Sequence, residues 1–291
     1  MKNLQSLQSL RNLWYSIPVQ HRYSIRRLYF LPRDISDRIS GKRNKYIPPV
    51  GLVYTGTMVN PKQYMEHAQQ QVDLLKDYTG LKPDDTVLDM GSGIGRTATA
   101  LIHYLNENGS YYGFDVIEKG VKWCNKHIQC DFPNFHFKYV PLHNDLYNNS
   151  GENAENFKFP YADHFFDKIF SYSLFTHMQI EETQNYFHEI KRTLKPGGYS
   201  LSTFFIYDDA VEDYISSRKE FNFPYKKDGY RLMSNKVKAG NVAIHQDKLQ
   251  EMLDNAGLKL VKIQEGFWKE EQRSKAKWYY QDVVVVKACD K

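Results

Sequence analysis

Three glycines at alternate positions, Gly91, Gly93 and Gly95, follow Asp89 in the run Val87-Leu88-Asp89-Met90-Gly91-Ser92-Gly93-Ile94-Gly95-Arg96. Glycine adopts positive φ without strain and leaves no Cβ between the main chain and a ligand. The β-formers Thr86, Val87 and Leu88 precede the turn and a helical run from Thr97 to Tyr104 follows it, which predicts a buried strand turning sharply into a helix. Such a loop is shaped for a nucleotide-like ligand. A second carboxylate, Asp115, ends the short apolar run Tyr111-Tyr112-Gly113-Phe114, twenty residues beyond Gly95. That is the distance at which an acidic side chain accepts hydrogen bonds from ribose hydroxyls. A third group with chemistry to offer is His177, in Ser171-Tyr172-Ser173-Leu174-Phe175-Thr176-His177-Met178, because an imidazole titrates near neutrality and serves as a base.

Two cofactor families use a turn of this kind, and spacing separates them. The dinucleotide fingerprint is G-x-G-x-x-G/A, with a pyrophosphate on the helix N-terminus. Here the pattern is G-x-G-x-G, and Arg96 stands where the last small residue belongs, which disfavours a pyrophosphate. The pattern instead resembles the first motif of class I S-adenosylmethionine (SAM) dependent methyltransferases. Phe165-Phe166-Asp167-Lys168-Ile169-Phe170-Ser171 and Leu194-Lys195-Pro196-Gly197-Gly198 are similar to that family's fourth-strand and pre-fifth-strand signatures, so the resemblance covers roughly residues 62 to 206.

The resemblance implies an α/β fold with a Rossmann-like, seven-stranded, mainly parallel sheet whose last strand is antiparallel. It implies SAM as cofactor, with Asp89, Gly91, Ser92, Gly93 and Gly95 against its methionine part and Asp115 and Val116 at the ribose. Asp145 and Leu146 would lie at the adenine, Ser171 would complete the set, and Tyr64 is a candidate wall. In an open parallel sheet, ligands gather beyond the carboxyl ends of strands, so the 171–178 segment should face the transferable methyl. His177 is therefore the candidate catalytic base, although a packing histidine suits the same position; His143 and His245 are weaker candidates chosen by nearness alone. Enzymes that methylate exocyclic amines of nucleic acid carry Asn/Asp-Pro-Pro-aromatic after the fourth strand, and Ser171-Tyr172-Ser173-Leu174 is not that. The overall resemblance is to bacterial methyltransferases acting on small molecules or glycans, transferring to oxygen or nitrogen. A dinucleotide-binding oxidoreductase and a catalytically silent SAM-binding module remain as rivals.

The elements that must position these groups follow from the rest of the chain. At 291 residues and 41% hydrophobic content the sequence can bury a full core. It has no apolar run of about eighteen residues and no signal-like apolar start, so a cytoplasmic protein without a membrane span is expected. Three cysteines argue against a disulfide framework, and Cys124, His127 and Cys130 lack an evident fourth ligand, so no metal is expected.

Charge is uneven: residues 1–50 hold ten Lys or Arg against two Asp, a net +8, and the remainder sums to −3. Residues 1–60 therefore form a basic arm, expected to be helical, with an amphipathic helix around Leu4, Leu7, Leu10, Leu13 and Trp14; contact with an anionic surface and packing on the protein's own core both suit it. The methyltransferase-like domain spans 61–291. It is expected to hold helices over Pro61 to Tyr78, Glu118 to Cys130, Glu181 to Lys195 and Gln246 to Asn255, with Pro196-Gly197-Gly198 as a helix stop and the fifth strand from Tyr199 to Phe205. Residues 207–244 break the alternation and carry Tyr207, Phe221, Phe223, Tyr225 and Tyr230, which suggests a cap insertion over the acceptor; a structural excursion with a small satellite core suits the same stretch.

Overall fold

A computed structural model describes residue 17 and residues 19–53, 60–144, 151–270 and 279–289. The expected helix around Leu4 to Trp14, together with Asp145 and Leu146, lies outside the described residues. The arm contributes helix α1 (Val19–Ile39) and a short helical turn at Val50–Leu52. Helix α2 (Pro61–Thr79) begins where Asn60 and Gln63 exchange side-chain to backbone hydrogen bonds and Pro61 takes the first turn, and it ends at Gly80 in the left-handed region. Tyr64, Ala68, Val72 and Leu75 form its buried stripe.

The chain then alternates: β1 (Thr86–Met90), α3 (Arg96–Leu101), β2 (Ser110–Asp115), α4 (Glu118–Cys124), β3 (Phe135–Tyr139), β4 (Phe166–Ser171), α5 (Ile180–Thr193) and β5 (Leu194–Phe204). Past β5 come β6 (Ile206–Tyr207), α6 (Asp209–Ser217), β7 (Tyr225–Lys226), β8 (Tyr230–Leu232), β9 (Val242–His245), α7 (Gln246–Ala256), β10 (Leu258–Gln264) and β11 (Asp282–Ala288). The main sheet has seven strands in the order β10-β11-β5-β4-β1-β2-β3, with β11 antiparallel to both of its neighbours. This is the expected Rossmann-like sheet. Its two faces bury separate clusters, one around Phe114, Phe166, Phe175 and Phe204, the other around Val87, Leu101, Tyr111 and Phe170. No described helix is long and apolar enough to cross a membrane.

Three segments carry detail beyond the sequence expectations, and in one of them the helix boundary is corrected. The helix after β2 keeps α geometry only to Cys124 and then widens into a π-helical turn over Asn125–Gln129. The helix before β5 stops at Thr193, because Leu194 is already extended, fully buried and paired with Phe166; Pro196-Gly197-Gly198 thus lie inside β5, at a register shift, and do not stop the helix. Residues 207–244, expected as an insertion that breaks the alternation, build with β6 a second sheet, order β6-β9-β8-β7, over a small separate core of Phe205, Tyr207, Ile215, Phe223, Ala243 and Trp268. Strands of two to four residues are too short to leave a readable alternation.

Asp282 fastens the two sheets together. It is fully buried at the start of β11 and accepts hydrogen bonds from the Ile206 amide at 2.7 Å, the Gly266 amide at 2.8 Å and Trp268 Nε1 at 2.6 Å. A buried carboxylate with three donors is satisfied, and it ties the start of β11 to β6 and to the 266–268 segment.

Candidate active site

The glycine turn leaves β1 with positive φ at Gly91 (+75°), Gly93 (+58°) and Gly95 (+75°), a sequence of conformations that side chains with a Cβ rarely adopt. Backbone amides fix it: Gly91 N and Ser92 N donate to the Phe114 carbonyl, and Gly93 N donates to Asp115 Oδ2 at 2.7 Å. Asp115 Oδ1 accepts from Ile117 N at 2.7 Å, so the carboxylate at the end of β2 is held from both sides and keeps only its remaining lone pairs for a ligand. Gly95 serves packing: a Cβ there would lie 2.9 Å from Cys124 Sγ and 3.1 Å from Ile128.

Beside this turn opens a cavity of about 580 Å³, within the range of roughly 300–1,000 Å³ usual for small-ligand sites. Among the expected cofactor residues, Gly91, Asp115 and Val116 line it. Asp89, Ser92, Gly93, Gly95 and Ser171 do not. Asp89 is buried and accepts from Tyr111 Oη at 2.7 Å, Ser171 is fully buried and donates to Ser202 Oγ at 2.9 Å, and the buried Ser92 Oγ has no hydrogen-bond partner among the described residues. Tyr64 is also absent from the lining; it is buried in the core with the Arg96 guanidinium 5.3 Å from its ring centroid.

His177 does reach the cavity, in a helical turn after β4, and so does His143. Its Nδ1 lies 2.7 Å from the Ala239 carbonyl; donation to that oxygen places the proton on Nδ1 and makes Nε2 the basic nitrogen of the neutral ring. Burial pushes its pKa below 6.5, against a smaller upward pull from the Ala239 carbonyl. His245 lies elsewhere, at the N-terminus of α7, facing Asp209 and Asp247.

Several lining residues were not anticipated. His67, Gln70 and Gln71 come from α2, and Arg96 is the only Lys or Arg among the described lining residues. Thr203, Asn241 and the Tyr279-Tyr280-Gln281 run join from the other side, beside Phe221, which was expected there. The last of these was deducible from topology: β11 runs antiparallel to β5, with Asp282 opposite Phe204, so the residues just before it must arrive at the carboxyl end of β5. Two non-glycine residues on the lining carry positive φ, Ser173 (+59°) and Phe221 (+52°), conformations that persist only when their surroundings enforce them. Ser173 N donates to Thr203 Oγ1 at 2.7 Å and its hydroxyl to Gln281 Oε1 at 2.9 Å. The Phe221 carbonyl accepts from Arg218 Nε and Nη2, while Nη1 of the same guanidinium donates to the Trp268 carbonyl. Of the other aromatics expected as a wall, Tyr207 and Phe223 are core residues of the second sheet, and Tyr225 and Tyr230 do not line the cavity.

Two buried carboxylates set the electrostatics beside the turn. Burial raises Asp115 from 3.8 to about 6, against the pull of its amide partners. Burial, with the charge of Asp115, raises Asp89 to about 7. Two carboxylates strained in this way are relieved by a cationic ligand, and a dianionic pyrophosphate would make them worse. A sulfonium cofactor with an ammonium group matches that field.

The fold is that of a SAM-dependent methyltransferase. Residues 81–257 match the model of a family described as a methyltransferase domain, well over half the sequence, and the chain belongs to that family. A solved SAM-dependent methyltransferase from Methanosarcina mazei is similar, with 19% identity, a TM-score of 0.51 and coverage of 75% of this chain and 98% of that one. A protein from Pyrococcus horikoshii is similar at 15% identity and TM-score 0.52, covering 78% and 91%. So is a geranyl diphosphate methyltransferase in complex with GPP and sinefungin, at 12% identity and TM-score 0.51, covering 76% and 78%. At such identities the structural likeness is one of fold. The cofactor is SAM, and the dinucleotide alternative is set aside.

Proposed function

We propose that the protein transfers the SAM methyl group to an oxygen or nitrogen of a small-molecule or glycan acceptor, with His177 as general base. The observation that carries this reading is the His177–Ala239 contact at 2.7 Å, which sets the imidazole as a neutral base on a cavity beside the glycine turn. SAM supplies an electrophilic methyl on a sulfonium. In this reading Asp115 accepts from the ribose hydroxyls, Val116 packs beside them, and the Gly91–Gly95 turn lies along the methionine part with Asp89 behind it, offsetting positive charge. Arg96, at the start of α3, pairs with the amino-acid carboxylate. Asp145 and Leu146 keep their proposed place at the adenine.

The acceptor lies between His177 and Phe221, walled by Tyr172 and Tyr280 and supplied with polar contacts by Ser173, Asn241 and Gln281. Holding nucleophile and methyl in line supplies much of the rate, and proton removal by the imidazole supplies about 10²–10⁴-fold more. An apolar wall with a few hydroxyl and amide handles is the make-up of a pocket for a compact polar molecule rather than for a duplex. Transfer of labelled methyl from SAM to a panel of small hydroxylated, amino and glycan acceptors tests the proposal. Labelling that needs His177 supports it; labelling only of nucleic acid would overturn the acceptor class.

A further inference from the structure

Helix α1 turns a charged and apolar face away from the 43–51 segment it packs on. Its inner side is well anchored: Asp34 accepts from Val50 N at 2.6 Å and Gly51 N at 3.0 Å, Arg43 donates to the carbonyls of Asp34 and Ile47, and a Cβ on Gly51 would come within 3.0 Å of Arg27 Cα. The outer side carries Ile25 (45% exposed), Leu28 (70%), Tyr29 (77%), Leu31 (44%), Ile35 (49%) and Ile39 (82%). These are six of the ten exposed large hydrophobic residues among the described residues, and their spacing of three, four and seven puts them on one stripe. A contiguous apolar stripe of this kind needs an occupant.

We propose that α1 seats the protein on an anionic lipid surface. The argument for that occupant is charge complementarity. Arg27 and Arg38 border the stripe on one side and Arg33 on the other, all exposed, as in helices that lie in the interface plane with their apolar face among the headgroups and cationic side chains reaching the phosphates. The net charge of residues 1–50 is +8 while the rest of the chain sums to −3, so attraction to an anionic surface acts at the arm and not over the whole molecule. The helix is too polar to cross the bilayer, which leaves the interface as its place.

Co-sedimentation of the full-length protein with vesicles tests this. Binding to vesicles of equal parts phosphatidylcholine and phosphatidylglycerol is expected, falling with added salt, with little binding to phosphatidylcholine alone. The paired substitution Leu28→Glu with Ile39→Glu should abolish it, and Arg27→Gln with Arg38→Gln should weaken it by a factor on the order of 25. SAM affinity measured on both variants should equal that of the unaltered protein, which shows them folded; the arginine pair lies outside the core and gives an independent reading if the glutamate pair misfolds. Absence of binding to the anionic vesicles, or binding indifferent to both pairs, overturns the proposal. So does a concentration-dependent dimer that Leu28→Glu with Ile39→Glu dissociates, since the stripe then belongs to a second copy.

Discussion

The two halves of the cavity are built in opposite ways. The proposed cofactor half rests mainly on a short stretch of chain, residues 89–117, whose shape comes from backbone: three glycines with positive φ, amides donating to Phe114 and Asp115, and one carboxylate held from both sides. The proposed acceptor half is assembled from side chains on distant segments, 172–178, Thr203, Phe221, Asn241 and 279–281, cross-braced by Ser173, Arg218 and Asp282. A backbone cradle tolerates little change and serves a single cofactor, whereas a side-chain wall on loops from two sheets can be rebuilt for a new acceptor. The division implies that the two halves fail separately.

The largest separation is expected at His177. His177→Gln should lower kcat by about 10²–10⁴-fold. Its pH profile offers a second check: with the pKa pushed below 6.5 by burial, kcat should hold through neutrality and fall only in more acidic buffer, and the variant should lose that limb. A loss of SAM binding in His177→Gln instead would break the comparison.

A smaller effect is expected on the acceptor wall. Excising residues 207–244 is no clean test, since Tyr207, Ile215, Phe223 and Ala243 would leave Phe205 and Trp268 without a core. Phe221→Ala is sharper: acceptor kcat/KM should fall about tenfold, the scale of lost aromatic contacts, with SAM affinity unchanged. Arg218→Met releases the Phe221 carbonyl and should cost about 1–2 kcal/mol of stability, read by denaturant titration.

The cofactor half should respond to pH in a way the acceptor half does not. Asp115 and Asp89 are raised to about 6 and about 7 in the folded protein, above the 3.8 of an unperturbed Asp. Between pH 4 and 7 the folded state therefore holds protons the unfolded chain has lost, so these groups make the ligand-free protein less stable as pH rises through that window. SAM, needing the carboxylates ionised, should bind more weakly as pH falls below about 6. Thermal unfolding across the window, with and without SAM, reads both trends; SAM stabilisation that grows on acidification would contradict the assignment of Asp115.

How legible each half was follows from the same division. The β1 turn and Asp115 were readable because glycine spacing and a strand-ending carboxylate are local, and the sheet followed from the family resemblance that these local motifs carry. Arg96 was visible but understood only as the residue that excludes a pyrophosphate. Phe221 and Asn241 were not distinguishable within 207–244, since what brings them to the cavity is a strained backbone and a second sheet of very short strands. Asp89 and Ser171 fit the motif and yet point into hydrogen bonds with Tyr111 and Ser202, because a residue at the end of a parallel strand alternates between ligand and core, and spacing alone does not say which.

The most direct test of the divided cavity is calorimetric titration of SAM into Asp115→Ala and His177→Gln beside the unaltered protein. The account predicts that His177→Gln binds SAM as the unaltered protein does, and that Asp115→Ala weakens it about 10- to 150-fold, the worth of a hydrogen bond to a charged group. Equal affinity in folded Asp115→Ala, or equal weakening in both variants, would contradict it.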